Sequence, residues 1–215
     1  MSNGVQSILR AEIQSGHDWF FIGTLSGISI FDAKDSTFVS IDVLETMPHS
    51  ISAMLYDPNK QRLYVGTSTG LYAYSLTSSS AVAVEGFPLT TEDGLESNNI
   101  LAIALDGSQL YLGTGRGLHK YDLDRMDQIG LHVLDSSSGM PEDAVAAIAI
   151  DKSSSKGTLY AGTIGGGVAV IKISYDVPLF GQEWWALNGS WAYPVIAVIC
   201  AVVFGAIGCY VKSRK

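Results

Sequence analysis

Histidine, cysteine and carboxylate side chains are the groups in this 215-residue sequence that could carry acid–base, nucleophilic or metal chemistry. None of the four histidines lies in an HExxH or His-x-His arrangement that would hold a metal ion. These histidines are His17, His49, His119 and His132. Both cysteines lie in one apolar segment near the carboxyl end, and no GxSxG motif marks a serine nucleophile. We therefore expect no catalytic residue, no metal site and no cofactor, and we predict that the protein is not an enzyme.

Carboxylates are concentrated in three polar segments, residues 44–50, 88–98 and 135–143. The acids concerned, together with the one nearby arginine, are Glu45, Glu92, Asp93, Glu96, Asp135, Glu142, Asp143 and Arg116. We expect them on one ligand-binding face, because loops on a rigid scaffold commonly carry binding residues. Solvated surface acids are the simpler interpretation. The functional alternatives are a weak Ca²⁺ site, a surface for a basic partner, and sugar contacts through Arg116 and tyrosines; no Asp-x-Asp-x-Asp-Gly loop supports calcium.

The net charge of −8 is unevenly distributed along the chain. Three of the 13 basic residues, Lys212, Arg214 and Lys215, close the sequence, so residues 1–190 carry 10 bases against 21 acids. A nucleic-acid-binding surface needs the opposite sign of charge. We therefore expect no nucleic-acid partner.

Residues 191–211 form 21 consecutive positions without a charge, enough for about 31 Å of helix at 1.5 Å per residue. Aromatic residues flank this stretch, and the basic tail 212–215 follows it. The pattern predicts one transmembrane helix in the cell membrane, with residues 1–190 outside, a linker at 174–190 and the tail in the cytoplasm. Small residues recur every fourth position along the helix and predict helix packing or self-association. They are Ala197, Ala201, Gly205 and Cys209.

The first 16 residues have no basic stretch followed by an apolar one, so they do not read as a secretory signal. Two explanations stay open. Either the sequence is a processed or truncated piece of a longer exported protein, which we favour, or it is tail-anchored with its large domain in the cytosol.

Four internal repeats occupy residues 1–173. Each contains an aromatic-rich strand, a Gly-Thr pair, a short turn ending in glycine, and a second strand. The Gly-Thr glycines are Gly23, Gly66, Gly113 and Gly162, which are 43, 47 and 49 residues apart, and the turn-closing glycines are Gly27, Gly70, Gly117 and Gly167. We expect all eight to be structural, the turn-closing ones with positive φ. Periods of 40 to 50 residues are typical of four-stranded propeller blades. We therefore predict an all-β propeller of four repeats, with blades at about 7–43, 51–87, 100–134 and 145–173, the last without an outer strand.

The segment 91–123, TEDGLESNNILAIALDGSQLYLGTGRGLHKYDL, resembles the two-component regulator propeller repeat, and 137–167 follows it. The likeness covers about 165 residues. It implies an extracytoplasmic propeller of a membrane sensor that binds glycans, although only four residues, and hence no kinase domain, follow the predicted span. Seven blades are usual in that family. A compact four-bladed ring, an arc completed by a second copy or another chain, and a fragment of a longer propeller all stay open.

From these observations we expect a membrane-anchored, non-enzymatic binding or sensor module for a glycan, peptide or protein. The first alternative is a structural subunit of a membrane complex that completes its propeller with partner chains. A second alternative is a fragment of a quinoprotein-like or lyase propeller enzyme.

Overall fold

A computed structural model describes residues 4–14, 17–124, 132–153 and 157–173, and also the backbone of three later strands. Blade 1 contains β1 (Val5–Gln14), β2 (His17–Thr24), β3 (Ile28–Asp32) and β4 (Thr37–Val39). Blade 2 contains β5 (Ile51–Asp57), β6 (Arg62–Thr67), β7 (Gly70–Leu76) and β8 (Ala81–Ala83). Both sheets are antiparallel, with the strands in chain order.

Blades 3 and 4 repeat this arrangement. Blade 3 contains β9 (Ile100–Asp106), β10 (Gln109–Thr114), β11 (Gly117–Asp122) and β12 (His132–Leu134). Blade 4 contains β13 (Val145–Asp151), β14 (Gly157–Thr163), β15 (Gly167–Ile173) and β16 (Trp184–Ala186). Short helical turns precede blades 2, 3 and 4: α1 (Asp42–Glu45) and the 3₁₀ turns Thr91–Asp93 and Ser136–Ser138. Strands are paired within units, which confirms the predicted four-bladed, all-β architecture.

The outer strands differ from expectation in two ways. Those of blades 1 to 3 have only three residues each. In blade 1 the chain turns into α1, which buries Leu44, and in blade 2 Gly86 has a φ of 81° that an extended strand cannot accommodate. Blade 4, in contrast, has an outer strand where the sequence predicts none: Trp185 lies opposite Val170 in the register of β15 and β16. The connection between β15 and β16 is long, so no short hairpin turn in the sequence predicts this strand.

Apolar side chains from facing sheets form a core at each joint between blades. Between blades 1 and 2, Phe21 and Ile30 pack with Leu63 and Val65. The equivalent clusters join blade 2 to blade 3 and blade 3 to blade 4. Both faces of an internal sheet are therefore buried, which explains why the strands are apolar on both faces.

Three of the four Gly-Thr glycines, Gly23, Gly66 and Gly113, lie inside strands and directly against the inner strand of the following blade. A Cβ built on Gly23 would lie 2.7 Å from Ile51 Cγ2 of blade 2, and one built on Gly113 would lie 2.5 Å from the Val145 carbonyl oxygen of blade 4. Because glycine has no side chain, these residues allow the next inner strand to pack closely against them. The turn-closing glycines have a positive φ: 95° at Gly27, 137° at Gly70, 110° at Gly117 and 101° at Gly167.

The transmembrane helix predicted over 191–211 is not shown. Instead, β17 (Ala197–Val203) and β18 (Ala206–Lys212) pair antiparallel, so that Cys200 lies opposite Cys209. Four of the seven residues of β17 are valine or isoleucine, and β-branched residues favour extended backbone. The predicted helix-packing stripe is therefore not observed. It consists of Ala197, Ala201, Gly205 and Cys209, of which Gly205 is outside the described residues.

Within the described part of the chain, no helix has the length and apolar character needed to cross a membrane.

His119 is fully buried on β11, on the face of blade 3 that packs against blade 2. Neither of its ring nitrogens has a hydrogen-bond partner of good geometry among the described residues, and the nearby Arg116 backbone opposes the effect of burial only weakly. Burial lowers the pKa of His119 from 6.5 to about 4. The folded protein therefore excludes a proton that the unfolded chain binds.

We predict that the folded state loses stability as the pH falls from about 6.5 towards 4, because protonation of His119 then favours the unfolded chain. Between pH 7 and 4.5 the wild type should lose about 2 kcal/mol more than His119→Leu, which cannot titrate at this position. Urea unfolding of both proteins across this range measures the difference. The contribution of the carboxylates to the pH dependence is the same in both proteins and cancels. Parallel pH profiles would contradict the assignment.

Candidate ligand-binding face

One side of the propeller is formed by the turns between the second and third strands of the blades, together with the loops that lead into blades 2 to 4. The Leu71 amide donates to the Leu89 carbonyl at 3.0 Å, and the Gly117 amide donates to the Asp143 carbonyl at 2.7 Å. In blade 4 the Ile164 amide donates to the Ala144 carbonyl at 2.9 Å. These backbone bonds join turns and loops into one continuous surface.

Three of the predicted ligand-face acids are committed to holding this surface together. Asp93 Oδ2 accepts from the Thr90 amide at 2.9 Å, and Asp135 Oδ1 accepts from the Ser138 amide at 3.0 Å, each as part of a capping box around a 3₁₀ turn. Asp143 Oδ1 accepts from the Ser136 amide at 2.7 Å. The pKa of Asp135 is lowered mainly by a hydrogen bond from the Ser137 hydroxyl. These acids are therefore placed by the fold, and each uses one carboxylate oxygen within its own loop.

The other predicted residues are exposed: Glu45, Glu92, Glu96, Glu142 and Arg116. Arg116 contributes, after the dominant hydrogen bonds from Ser136, to lowering the pKa of Asp143. Arg116 and Asp143 therefore lie within electrostatic reach, which brings the blade 3 turn next to the loop before blade 4. Glu45 ends α1, at the joint between blades 1 and 2.

A stacked pair that sequence reasoning missed lies at that same joint. The ring of His49 stacks on Tyr72 with centroids 5.4 Å apart and an interplanar angle of 28°. The Tyr72 hydroxyl lies 3.1 Å from His49 Nε2 and 3.4 Å from Thr69 Oγ1, and both rings are half-buried. The only signal in the sequence is a tyrosine directly after the Gly-Leu turn of repeat 2, because His49 lies 23 residues earlier, in the loop before blade 2.

A cavity of about 360 Å³ opens beside the first turn. Thr24, Ser29, Phe38 and Glu45 are among the residues that line it. It combines an apolar wall with hydroxyl groups and one carboxylate. The cavity therefore lies on blade 1, next to Glu45.

His17, Asp32 and Asp35 form a cluster whose potential ligand atoms lie within 4.8 Å of one another. His17 Nδ1 is 2.8 Å from Asp32 Oδ2, Trp19 Nε1 donates to the same carboxylate at 3.1 Å, and Lys34 Nζ lies 2.9 Å from His17 Nε2. The hydrogen bond from His17 is the main cause of the lowered pKa of Asp32. A lysine at this place repels a cation, so the cluster serves as the hydrogen-bond network of the turn after β3.

No protein-family model matches the chain, and no curated protein matches it either. Among solved structures, it is similar to the extracellular domain of a Bacteroides thetaiotaomicron protein described as a hybrid two-component system. The TM-score is 0.62 at 20% identity, over 98% of this chain and 28% of that one. A second such domain gives 0.58 at 21% identity, over 92% and 23%. The computationally designed Ika4 protein gives 0.53 at 14% identity, over 81% and 96%.

These similarities show the fold, a four-bladed β-propeller arrangement of the kind found in extracellular domains of two-component systems. The chain spans about a quarter of the length of the two bacterial domains.

We predict that Asp135 and Glu142, neighbours in one loop, differ in their effect on stability. Asp135→Ala should lower the free energy of unfolding by about 1 kcal/mol, because the capping box around Ser138 is lost. Glu142→Ala, which removes an exposed carboxylate, should change it by less than about 0.5 kcal/mol. Urea unfolding at pH 7 measures both. Equal losses would show that Asp135 is a surface acid like Glu142.

Proposed function

We propose that the protein is a non-enzymatic binding or sensor module related to the two-component regulator propeller family. Its loop face would receive an extracytoplasmic ligand. The observation that carries the proposal is the His49–Tyr72 stack, a polar aromatic pair that is half-buried at the edge of a loop surface. The fold adds support, because the similar bacterial domains are extracellular parts of two-component systems.

The chemistry of the face favours a glycan as the ligand class. An aromatic ring offers a flat apolar surface for a sugar, while the Thr69 and Tyr72 hydroxyls offer hydrogen bonds beside it. The exposed glutamates of the face, including Glu45, outnumber Arg116, so the exposed groups carry a net negative charge. A neutral or amino sugar therefore suits this surface better than an acidic one, which the carboxylates would repel.

We predict that the protein binds neutral or amino-sugar oligosaccharides and that Tyr72→Ala weakens binding at least about tenfold, as expected when an aromatic platform is lost. A glycan array identifies the ligand, and isothermal titration calorimetry measures the effect. Asn59→Ala is the matched control, because Asn59 is exposed in the turn between β5 and β6, at the opposite end of the blade from Tyr72. Equal weakening by both variants, or a preference for acidic glycans, would contradict the proposal.

We further propose that residues 191–211 anchor the module in the cell membrane, with the propeller outside and the tail 212–215 in the cytoplasm. The support is compositional: 21 uncharged residues between an aromatic-rich segment and a basic tail. In lipid a helix satisfies all of its own backbone hydrogen bonds, whereas a two-stranded hairpin leaves its outer edges unpaired. A change of environment therefore favours the helix.

We predict that the full chain stays in the membrane pellet after alkaline carbonate extraction, whereas a chain ending at residue 190 is released. Protease added to intact cells should digest residues 1–190, because the positive-inside rule places them outside. Release of the full chain would contradict the anchor. Protection of residues 1–190 in intact cells would contradict the orientation alone.

A further inference from the structure

The last blade has an uncovered apolar face. Phe21, Tyr64 and Tyr111 occupy equivalent positions in the second strands of blades 1 to 3, and the following blade leaves them 0%, 0% and 2% exposed. The equivalent residue of blade 4, Tyr160, is 39% exposed, and Val168 on the same face is 46% exposed. This face has the composition of a blade-to-blade joint, but no further blade packs against it in the part of the chain that the structure describes.

The first blade has the complementary uncovered face. Ile8 and Phe38 are 66% and 72% exposed there. Phe20 and Ile22, on the same face, are partly exposed, whereas the residues equivalent to them in blade 2, Leu63 and Val65, are 0% exposed. Exposed apolar patches of this kind mark interaction surfaces.

The face of blade 1 also carries the exposed Arg10–Asp18 ion pair, because Arg10 lies opposite Phe20 in the ladder. The apolar residues beside this pair match the other face in register. At each internal joint the first residue of an inner strand packs on the Gly-Thr glycine of the preceding blade. The pairs are Ile51 on Gly23, Ile100 on Gly66, and Val145 on Gly113. In the ladder of blade 1, Val5 lies opposite Thr24, as Ile51 lies opposite Thr67 in blade 2. Val5 is therefore the equivalent residue, and it is 53% exposed.

Gly162 is the equivalent glycine on the other face. Among the described residues, a Cβ built there meets only Ala147 of its own blade, at 3.4 Å, so these residues leave open the place that a following inner strand would take. Successive inner strands pack together, β1 with β5, β5 with β9 and β9 with β13, but within the described residues β1 and β13 form no comparable contact.

We propose that a second copy of this chain covers both faces, with blade 4 of each copy against blade 1 of the other and Val5 packed on Gly162. Two such joints related by a two-fold axis close the arcs into one ring of eight blades. A second copy suits the surface because each chain carries both halves of a joint that it already forms three times internally. The proposal is independent of the ligand and of the membrane anchor.

The first experiment measures mass by light scattering on the full chain purified in mild detergent. We expect a dimer, and we expect Gly162→Val to raise its dissociation constant about tenfold or more, because the added side chain occupies the place of Val5. The monomer should fold normally, since the side chain points to an open face. Val82→Asp is the control, an exposed valine on the outer strand of blade 2, away from both faces. A monomeric wild type, or a dimer indifferent to Gly162→Val, would overturn the proposal.

The second experiment tests the register and separates this joint from association through the carboxyl-terminal segment. In a Cys200→Ser, Cys209→Ser background, a Val5→Cys chain is mixed with an Ala147→Cys chain and oxidised, which leaves Gly162 in place. Ala147 lies opposite Gly162 as Ala102 lies opposite Gly113, and a Cβ built on Gly113 would lie 3.1 Å from Ala102 Cβ and 2.9 Å from Val145 Cγ1. Val5 and Ala147 should therefore be neighbours in the proposed joint, so the mixed pair should cross-link. Val5→Cys mixed with Val82→Cys should not. Absence of the first cross-link, or equal yield of both, would overturn the proposal.

Discussion

The close approach of each inner strand to a glycine of the preceding blade is the contact on which this structure depends. At Gly23, Gly66 and Gly113 any Cβ would lie 3.0 Å or less from the next blade. Only a residue without a side chain lets the sheets come together, and only then do the apolar faces between them exclude water. The Ser7 hydroxyl, which donates to the Ile51 carbonyl at 2.8 Å, adds a polar contact across the first of these joints. The same short sequence therefore sets both the spacing of the blades and the composition of their cores.

The loop face inherits its shape from these joints. Because the blades pack closely together, the turns of blades 2 and 3 reach the loop that leads into the following blade and form backbone bonds with it. Asp93, Asp135 and Asp143 complete that framework, so acids that look like ligands in the sequence are part of the scaffold. The side chains of the face outside that framework are the exposed glutamates, Arg116 and the His49–Tyr72 pair. The proposed ligand binding depends on these groups.

Because the blades are stacked in a row, the first and last blades each have one sheet face that no other described blade covers. A sheet in the middle of the arc is covered on both faces, but the first and last sheets each keep one apolar face exposed. The bacterial domains that resemble this chain are about four times longer, whereas the designed Ika4 protein is of similar size. The same blade geometry is thus compatible with arcs of different length, and the surroundings of the end blades determine how the exposed faces are covered.

The sequence by itself determined the repeat, the all-β class and where most blades begin: the blades predicted to start at about 51, 100 and 145 begin with the observed β5, β9 and β13. Local alternation, turn glycines and a fixed period suffice for these, because they involve residues close in the chain. Tertiary structure alone decided the packing role of the Gly-Thr glycines, the outer strand β16 of blade 4, and the pairing of His49 with Tyr72. It also gave a strand pair where apolar composition predicted a helix over 191–211. Each of these depends on contacts between segments that are distant in sequence or on the medium around them, and a linear pattern encodes neither.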